Sequence, residues 1–244
     1  MKKQTVSMGM PVIINVIDRG VTEQDFSQVF AYFNYIDNKF SIYKKDSEIS
    51  KINRKELKEK DLSNDMKTIF SLSQKTKIET NGYFDINTND FLDPSGIVKG
   101  YAILNGAKML NKKYKNIYLE IAGDIQVFGK DERDQKWKIG IRNPFNKNEI
   151  IKVVNLSNKG IATSGTYERG AHIYNHKNKK KADEIASMTV IADNIYDADR
   201  FATAAFAMGE KGIEFIATLK GIEGYMIKKD KTAIFTKGFE AFVN

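Results

Sequence analysis

The chain has no cysteine, only two histidines and no long apolar run, and each shortage removes a class of chemistry. Without cysteine there are no disulfides, thiolate metal sites or thiol nucleophiles, a composition that suits an exported protein as well as a cytosolic one. No stretch is apolar enough to cross a bilayer as a helix, and the first residues lack the apolar core of a signal peptide. A trimmed mature chain would look the same, so these absences leave the compartment open. Internal repeats and long linkers are also missing. What remains is 244 residues, 41% hydrophobic and 11% aromatic, enough for a substantial core in one large or two modest domains. The 39 Lys+Arg against 31 Asp+Glu leave a net charge of +8, which favours anionic partners. Most of that charge is scattered lysine, and the run Lys177-Asn-Lys-Lys-Lys181 reads as a solvated surface loop. A nucleic-acid-binding module would interleave basic and stacking aromatic residues along one face. That pattern is not seen, and such a module stays only a distant alternative.

The hydrophobic pattern predicts a mixed α+β protein. Residues 12–17 alternate as a strand, and Thr22 caps a helix whose apolar positions Phe26, Val29, Phe30, Phe33 and Ile36 recur at helical spacing. A second helix begins near Asn64, uses Met66, Ile69, Phe70 and Leu72, and stops at Asn81-Gly82. These stripes read as core. Short strands are predicted over 117–121, 125–128, 137–141, 150–156, 160–163 and 185–191, separated by turns such as Gly129 and Asn143-Pro144. A buried helix over 199–208, a further helix over 211–219 and strands at 225–227 and 233–235 complete the pattern, with helices packed against a face of antiparallel strands.

Two segments carry chemistry. Asp199 and Thr203 are four residues apart and share a helix face. A carboxylate and a hydroxyl so placed suit a hard cation such as Mg2+, which prefers oxygen ligands and keeps water or substrate phosphate in its remaining positions. The same spacing also suits a solvated pair or a local hydrogen bond. The second segment, Asp93-Pro-Ser-Gly-Ile-Val-Lys-Gly-Tyr-Ala102, reads as a turn feeding a helix N-terminus, whose free N–H groups attract anions. It is neither a Walker loop nor a dinucleotide fingerprint, and a plain β-turn with a helix start is the competing reading.

With both segments placed, the chain resembles the ApbE family, the FAD:protein FMN transferases. The resemblance is collinear over nearly the whole length: Met8-Gly9, residues 40–53, Gly82-Tyr-Phe-Asp-Ile-Asn87, residues 93–102, Ala122-Gly-Asp124, Thr163-Ser-Gly-Thr-Tyr-Glu168, His172-Ile173 and residues 187–209. It implies one ApbE-like domain over residues 1–244, a two-lobed α+β fold related to the T-fold, with antiparallel sheets packed by helices and the ligand in a cleft between lobes. It further implies that FMN moves from FAD to a Thr or Ser hydroxyl of an acceptor flavoprotein, forming a phosphoester and releasing AMP. Such acceptors would include subunits of ion-pumping or extracellular electron-transfer systems. The site of action would be extracytoplasmic, in the periplasm or on the outer face of the cell membrane, with membrane association only through a lipid anchor that this chain lacks.

Carried over residue by residue, the metal ligands fall on Asp199, Thr203 and the backbone carbonyl of Gly96, with Mg2+ the expected ion and Mn2+ the alternative. Flavin contacts fall on Met8, Tyr43, Tyr83, Phe84, Asp85, Asp93, Lys99 and Tyr174. Tyr43 can stack on a planar ring, and Asp85 or Asp93 can accept hydrogen bonds from adenine or ribose. Each has a structural counterpart: Phe84 as plain core, Tyr83 and Tyr174 as surface aromatics, the two aspartates as turn caps. His172 falls on the proposed general base, an imidazole that titrates near neutral pH. Paired with His176 it would have zinc spacing only on a helix, and the residues between do not read as one.

Two departures stand out. Asn175-His176 replace the usual acidic residue and proline after the base, and Ala122 replaces a glycine in the Ala122-Gly-Asp124 turn. Ser164-Gly165 and Glu168 are intact, which favours an active transferase. The alternatives are an FAD pyrophosphatase yielding FMN and AMP, and a protein that binds FAD without turnover.

Overall fold

The computed structural model describes residues 1–165 and 173–243. Its spine is an antiparallel sheet of eight strands. The first two, β1 (Lys2–Ser7) and β2 (Met10–Val16), form a hairpin joined by Met8 and Gly9. Both turn residues have positive φ (55° and 69°), the backbone hand that matches the twist of a two-residue hairpin. Helix α1 (Glu23–Phe40) follows, opened by a capping box in which Thr22 and Asp25 satisfy each other's backbone amides. Its stripe of Phe26, Val29, Phe33 and Ile36 is buried as expected, with Phe30 packed half-buried beside it.

Short α2 (Glu48–Asn53) leads to α3 (Asn64–Glu79), capped by Ser63. Asn81 and Gly82 stop the chain beyond it, both at positive φ (50° and 76°). A small hairpin, β3 (Asn87–Thr88) and β4 (Phe91–Leu92), then delivers α4 (Ser95–Asn111). The strands β5 (Ile117–Ile121) and β6 (Asp124–Phe128) turn tightly through Ala122 and Gly123, again both at positive φ (49° and 88°). A long hairpin, β7 (Trp137–Asn143) with β8 (Asn146–Leu156), stands as a separate two-stranded sheet.

The chain returns to the main sheet as β9 (Lys159–Gly165), makes a small hairpin of β10 (Tyr174–Asn175) and β11 (Lys180–Lys181), and re-enters as β12 (Ile185–Ala192). Helices α5 (Ile195–Ala207) and α6 (Gly212–Thr218) precede the last strands, β13 (Glu223–Lys228) and β14 (Ala233–Phe235). Strand order in the sheet is β1-β2-β5-β6-β9-β12-β13-β14, every neighbouring pair antiparallel.

Alternation along these strands divides the core in two. Val12, Ile14, Leu119 and Val190 point to the side where α1, α4, α5 and α6 pack, while Ile125, Val127, Ile161 and Ile227 point to the side covered by β7–β8 through Trp137, Ile139 and Leu156. Each strand of the sequence pattern is found, with ends that match or extend by up to four residues, except that the strand expected over 12–17 stops at Val16. Helix α5 begins four residues earlier than expected. Asn194 caps it by accepting from the Asp197 amide, and Gln126 on β6 accepts from the Ile195 amide, so the sheet itself fixes the first turn. Gly160 permits this approach, because a Cβ there would lie 2.1 Å from the Ile195 nitrogen. On its far side Arg200 binds Asp197 and Glu79 and lies over the Phe201 ring, tying α5 to α3.

Candidate functional site

Helices α4 and α5 cross closely at Gly100, where a Cβ would meet the Asp199 Cβ at 2.8 Å. The contact has a polar purpose: the Gly100 amide donates to Asp199 Oδ2 at 2.8 Å. Lys99, next along α4, reaches Asp124 Oδ2 at 2.5 Å and Asp199 Oδ1 at 3.8 Å. Asp124, the first residue of β6, is held from its other oxygen by the Thr163 amide at 3.3 Å. One turn along α5, the Thr203 hydroxyl lies 3.4 Å from Ser164 Oγ on β9. The Thr203 methyl faces Gly96, where a Cβ would stand 3.5 Å away. Asp199, Thr203 and Gly96 therefore meet at one corner, where the N-terminus of α4 abuts α5 and the end of β9.

This corner is electrostatically costly. Asp199 and Asp124 are 4% and 2% exposed, two carboxylates beside a single lysine. Burial holds the Asp199 carboxyl well above the usual carboxylate range; Lys99 and the Gly100 amide pull it back, and Asp124 pushes it further up. Among the described residues no three His, Cys, Asp or Glu side chains group as a metal cage. The side-chain oxygens gathered here are those of the Asp199 and Asp124 carboxylates, both facing Lys99, and of the Thr203 and Ser164 hydroxyls. Oxygen donors are the kind a hard cation prefers.

A cavity opens above the corner. Gly96, Lys99, Asp199 and Thr203 of the corner line it together with Tyr83, Phe84, Asp85, Asp93 and Tyr174. A second recess, lined by Met8, Phe40, Ile42 and Tyr43, adjoins it, and the two share Asp93, Ser95 and Lys99 at the start of α4. Tyr43 is 93% exposed, a ring held out without packing of its own. The structural counterparts also hold: Phe84 is buried, Asp85 caps the Asn87 amide at 3.0 Å and binds Lys77, and Asp93 caps Ser95 at 2.9 Å. His172 lies outside the described residues.

Three residues were not singled out from sequence: Ser164 and His176, which line the cavity, and Asp124, which pairs with Lys99 beneath it. Asp124 and Ser164 were visible only as parts of motifs, because their partners Lys99 and Thr203 are distant along the chain. His176, read as part of a polar loop, instead lines the cavity edge-on to Tyr174. Its burial lowers its pKa, against the pull of nearby Asp85.

The family profile for ApbE matches residues 8–92 and 87–226, most of the chain and every element of this corner. The chain belongs to the ApbE family. Among curated relatives it is similar to the FAD:protein FMN transferase of Haemophilus influenzae, 31% identical over 168 residues, 62% of this chain and 47% of that one. It is also similar to the FAD:protein FMN transferase of Escherichia coli K12, 26% identical over 151 residues, 57% of this chain and 43% of that one. Each match thus spans under half of the relative. Among solved structures, the fold is that of the flavin transferase ApbE from Vibrio cholerae (TM-score 0.87, 20% identity) and of the ApbE protein from Thermotoga maritima (TM-score 0.88, 19% identity), each covering 100% of this chain and 99% of that one.

Proposed function

We propose that the protein transfers FMN from FAD to a Ser or Thr hydroxyl of an acceptor protein, the activity named for its curated relatives. The observation that carries this reading is the pair of recesses meeting at the α4 N-terminus directly beside Asp199. A dinucleotide has a flat ring system at each end of a diphosphate, and this arrangement offers a recess to each end with cationic and N–H groups between. On this reading the helix-rich part and the sheet act as the two lobes, and FAD lies between them.

In the balanced reaction, the acceptor oxygen forms a bond to the phosphorus on the riboflavin side, the bridging P–O bond breaks toward AMP, and the hydroxyl proton passes to a base. Lys99 and the α4 amides offset charge on the diphosphate. Asp85 and Asp93 accept from sugar or base hydroxyl and amino groups, and Tyr43, Tyr83 and Tyr174 flank the rings, with Met8 and Phe84 closing the apolar walls. His172 is assigned the base. Asp199, Thr203 and the Gly96 carbonyl would hold Mg2+, with Mn2+ as substitute, and that ion would supply charge neutralisation at the leaving phosphate. The oxygen-only donors and the surplus of buried carboxylate over lysine fit such an ion.

The test is mass spectrometry of an acceptor domain bearing an Asp-x-x-Ser/Thr-Gly-Ala-Ser/Thr segment, incubated with enzyme, FAD and Mg2+. Gain of one FMN on the acceptor, with AMP released in equal amount, is expected. Free FMN and AMP with an unmodified acceptor would identify a pyrophosphatase instead. Work outside the cytoplasm is part of the proposal, and acceptors displayed there are the first to try.

A further inference from the structure

A second groove, with Asp124 in its lining, lies between the β7–β8 hairpin and residues of β5, β6 and β9. Consecutive residues of β7, from Lys138 to Arg142, line it. Since neighbours on a strand point to opposite faces, a groove touching all of them runs along the strand's edge. Among the described residues β8 is the only strand paired with β7, so this edge carries backbone N–H and C=O groups without a ladder partner. Tyr118, Ile125 and Ile161 form apolar floor, and Ile150 and Val153 remain 50% and 44% exposed beside it. Of the four charged residues that line it, Lys138 and Arg142 are exposed, whereas Glu120 is half-buried against the Tyr118 hydroxyl and Asp124 is buried against Lys99, so the accessible rim is basic. The groove adjoins the cavity above Asp199, since Ala122 and Thr163 line both.

We infer that this groove docks the acceptor protein, whose extended segment adds as a strand to the free edge of β7 and leads its hydroxyl past Ala122 and Thr163 to the diphosphate. Strand addition supplies affinity through main-chain hydrogen bonds and leaves selectivity to pockets for alternate side chains. It also answers the free-edge problem, since an exposed edge is a standing template for another chain. The basic rim selects an acceptor with acidic residues near its reactive hydroxyl. The inference rests on the transferase reading, which supplies the need for a second polypeptide at this corner.

The experiment compares the wild type with Ile150→Glu/Val153→Glu and with Arg142→Glu, all at exposed positions, using the acceptor domain described above. For both variants the KM for acceptor should rise, by about tenfold or more for the double variant, as for loss of an interface anchor. FAD affinity, read by flavin fluorescence, should stay at the wild-type value. Hydrogen exchange on the wild type should slow at residues 138–142 when acceptor is added. Unchanged KM with unchanged exchange overturns the docking site while leaving the transferase reading intact. A wild type that binds FAD but modifies no acceptor overturns both, and the two failures are thereby told apart.

Discussion

At the scale of single residues, Asp199 binds the corner together. It accepts from Gly100 on the neighbouring helix, faces Lys99, and stands a turn before Thr203. Removing its carboxylate should leave the fold in place, because α5 remains capped by Asn194 and anchored through Arg200. Asp199→Ala is therefore expected to unfold within a few degrees of the wild type yet to lose turnover by about 10²–10³, the loss typical of removing one group that stabilises transition-state charge. Thr203→Val, nearly the same shape, should show a smaller loss of the same kind. Steady-state rates across a Mg2+ titration check both. Rates equal to wild type in Asp199→Ala would remove that residue from the site.

The elements show how such residues are delivered, and where electrostatics supports the fold instead of the chemistry. At the start of α1, Asp25 accepts from Lys113 at 2.7 Å, from the Thr22 hydroxyl at 2.6 Å and from Tyr114 at 2.8 Å. The Lys113 ammonium, then the Thr22 and Tyr114 hydroxyls, hold its carboxyl well below the usual range. A carboxylate with a depressed folded pKa stabilises above its unfolded value of about 3.9, and that contribution fades as pH falls from there toward the folded value. Asp25→Asn should thus lower the melting temperature at pH 7, and the gap to wild type should narrow by pH 3. Thermal unfolding followed by circular dichroism at the two pH values checks this; a gap of constant size would mean that the charge is irrelevant.

The same elements explain what could be read from sequence. Helix α1 was legible because its cap and its apolar stripe agree. Strand β1 was not, because KKQTVS is a polar edge strand with only one buried residue. Helix α2 is six residues long, too short for a periodic pattern. The first turn of α5 was missed because a glutamine on β6 fixes it, a partner that local sequence cannot reveal.

Over the whole molecule, several motifs that lie far apart along the chain supply turns and a helix start that line the two adjoining recesses. Met8-Gly9 and Ala122-Gly123 are both two-residue hairpin turns at the cavity rims, and residues 93–96 form the entry to α4. Collinearity could be read without structure, but the union of Lys99 with Asp124, and of Ser164 with Thr203, required the fold. The central claim is that the corner of Gly96, Lys99, Asp199 and Thr203 grips the diphosphate of FAD. The most direct measurement is a crystal structure of the protein with FAD and Mn2+, the ion located by its anomalous signal. The account predicts the ion between Asp199, Thr203 and the diphosphate, with the two ring systems reaching into the two recesses. Flavin bound elsewhere, or an ion that touches neither Asp199 nor Thr203, would contradict it.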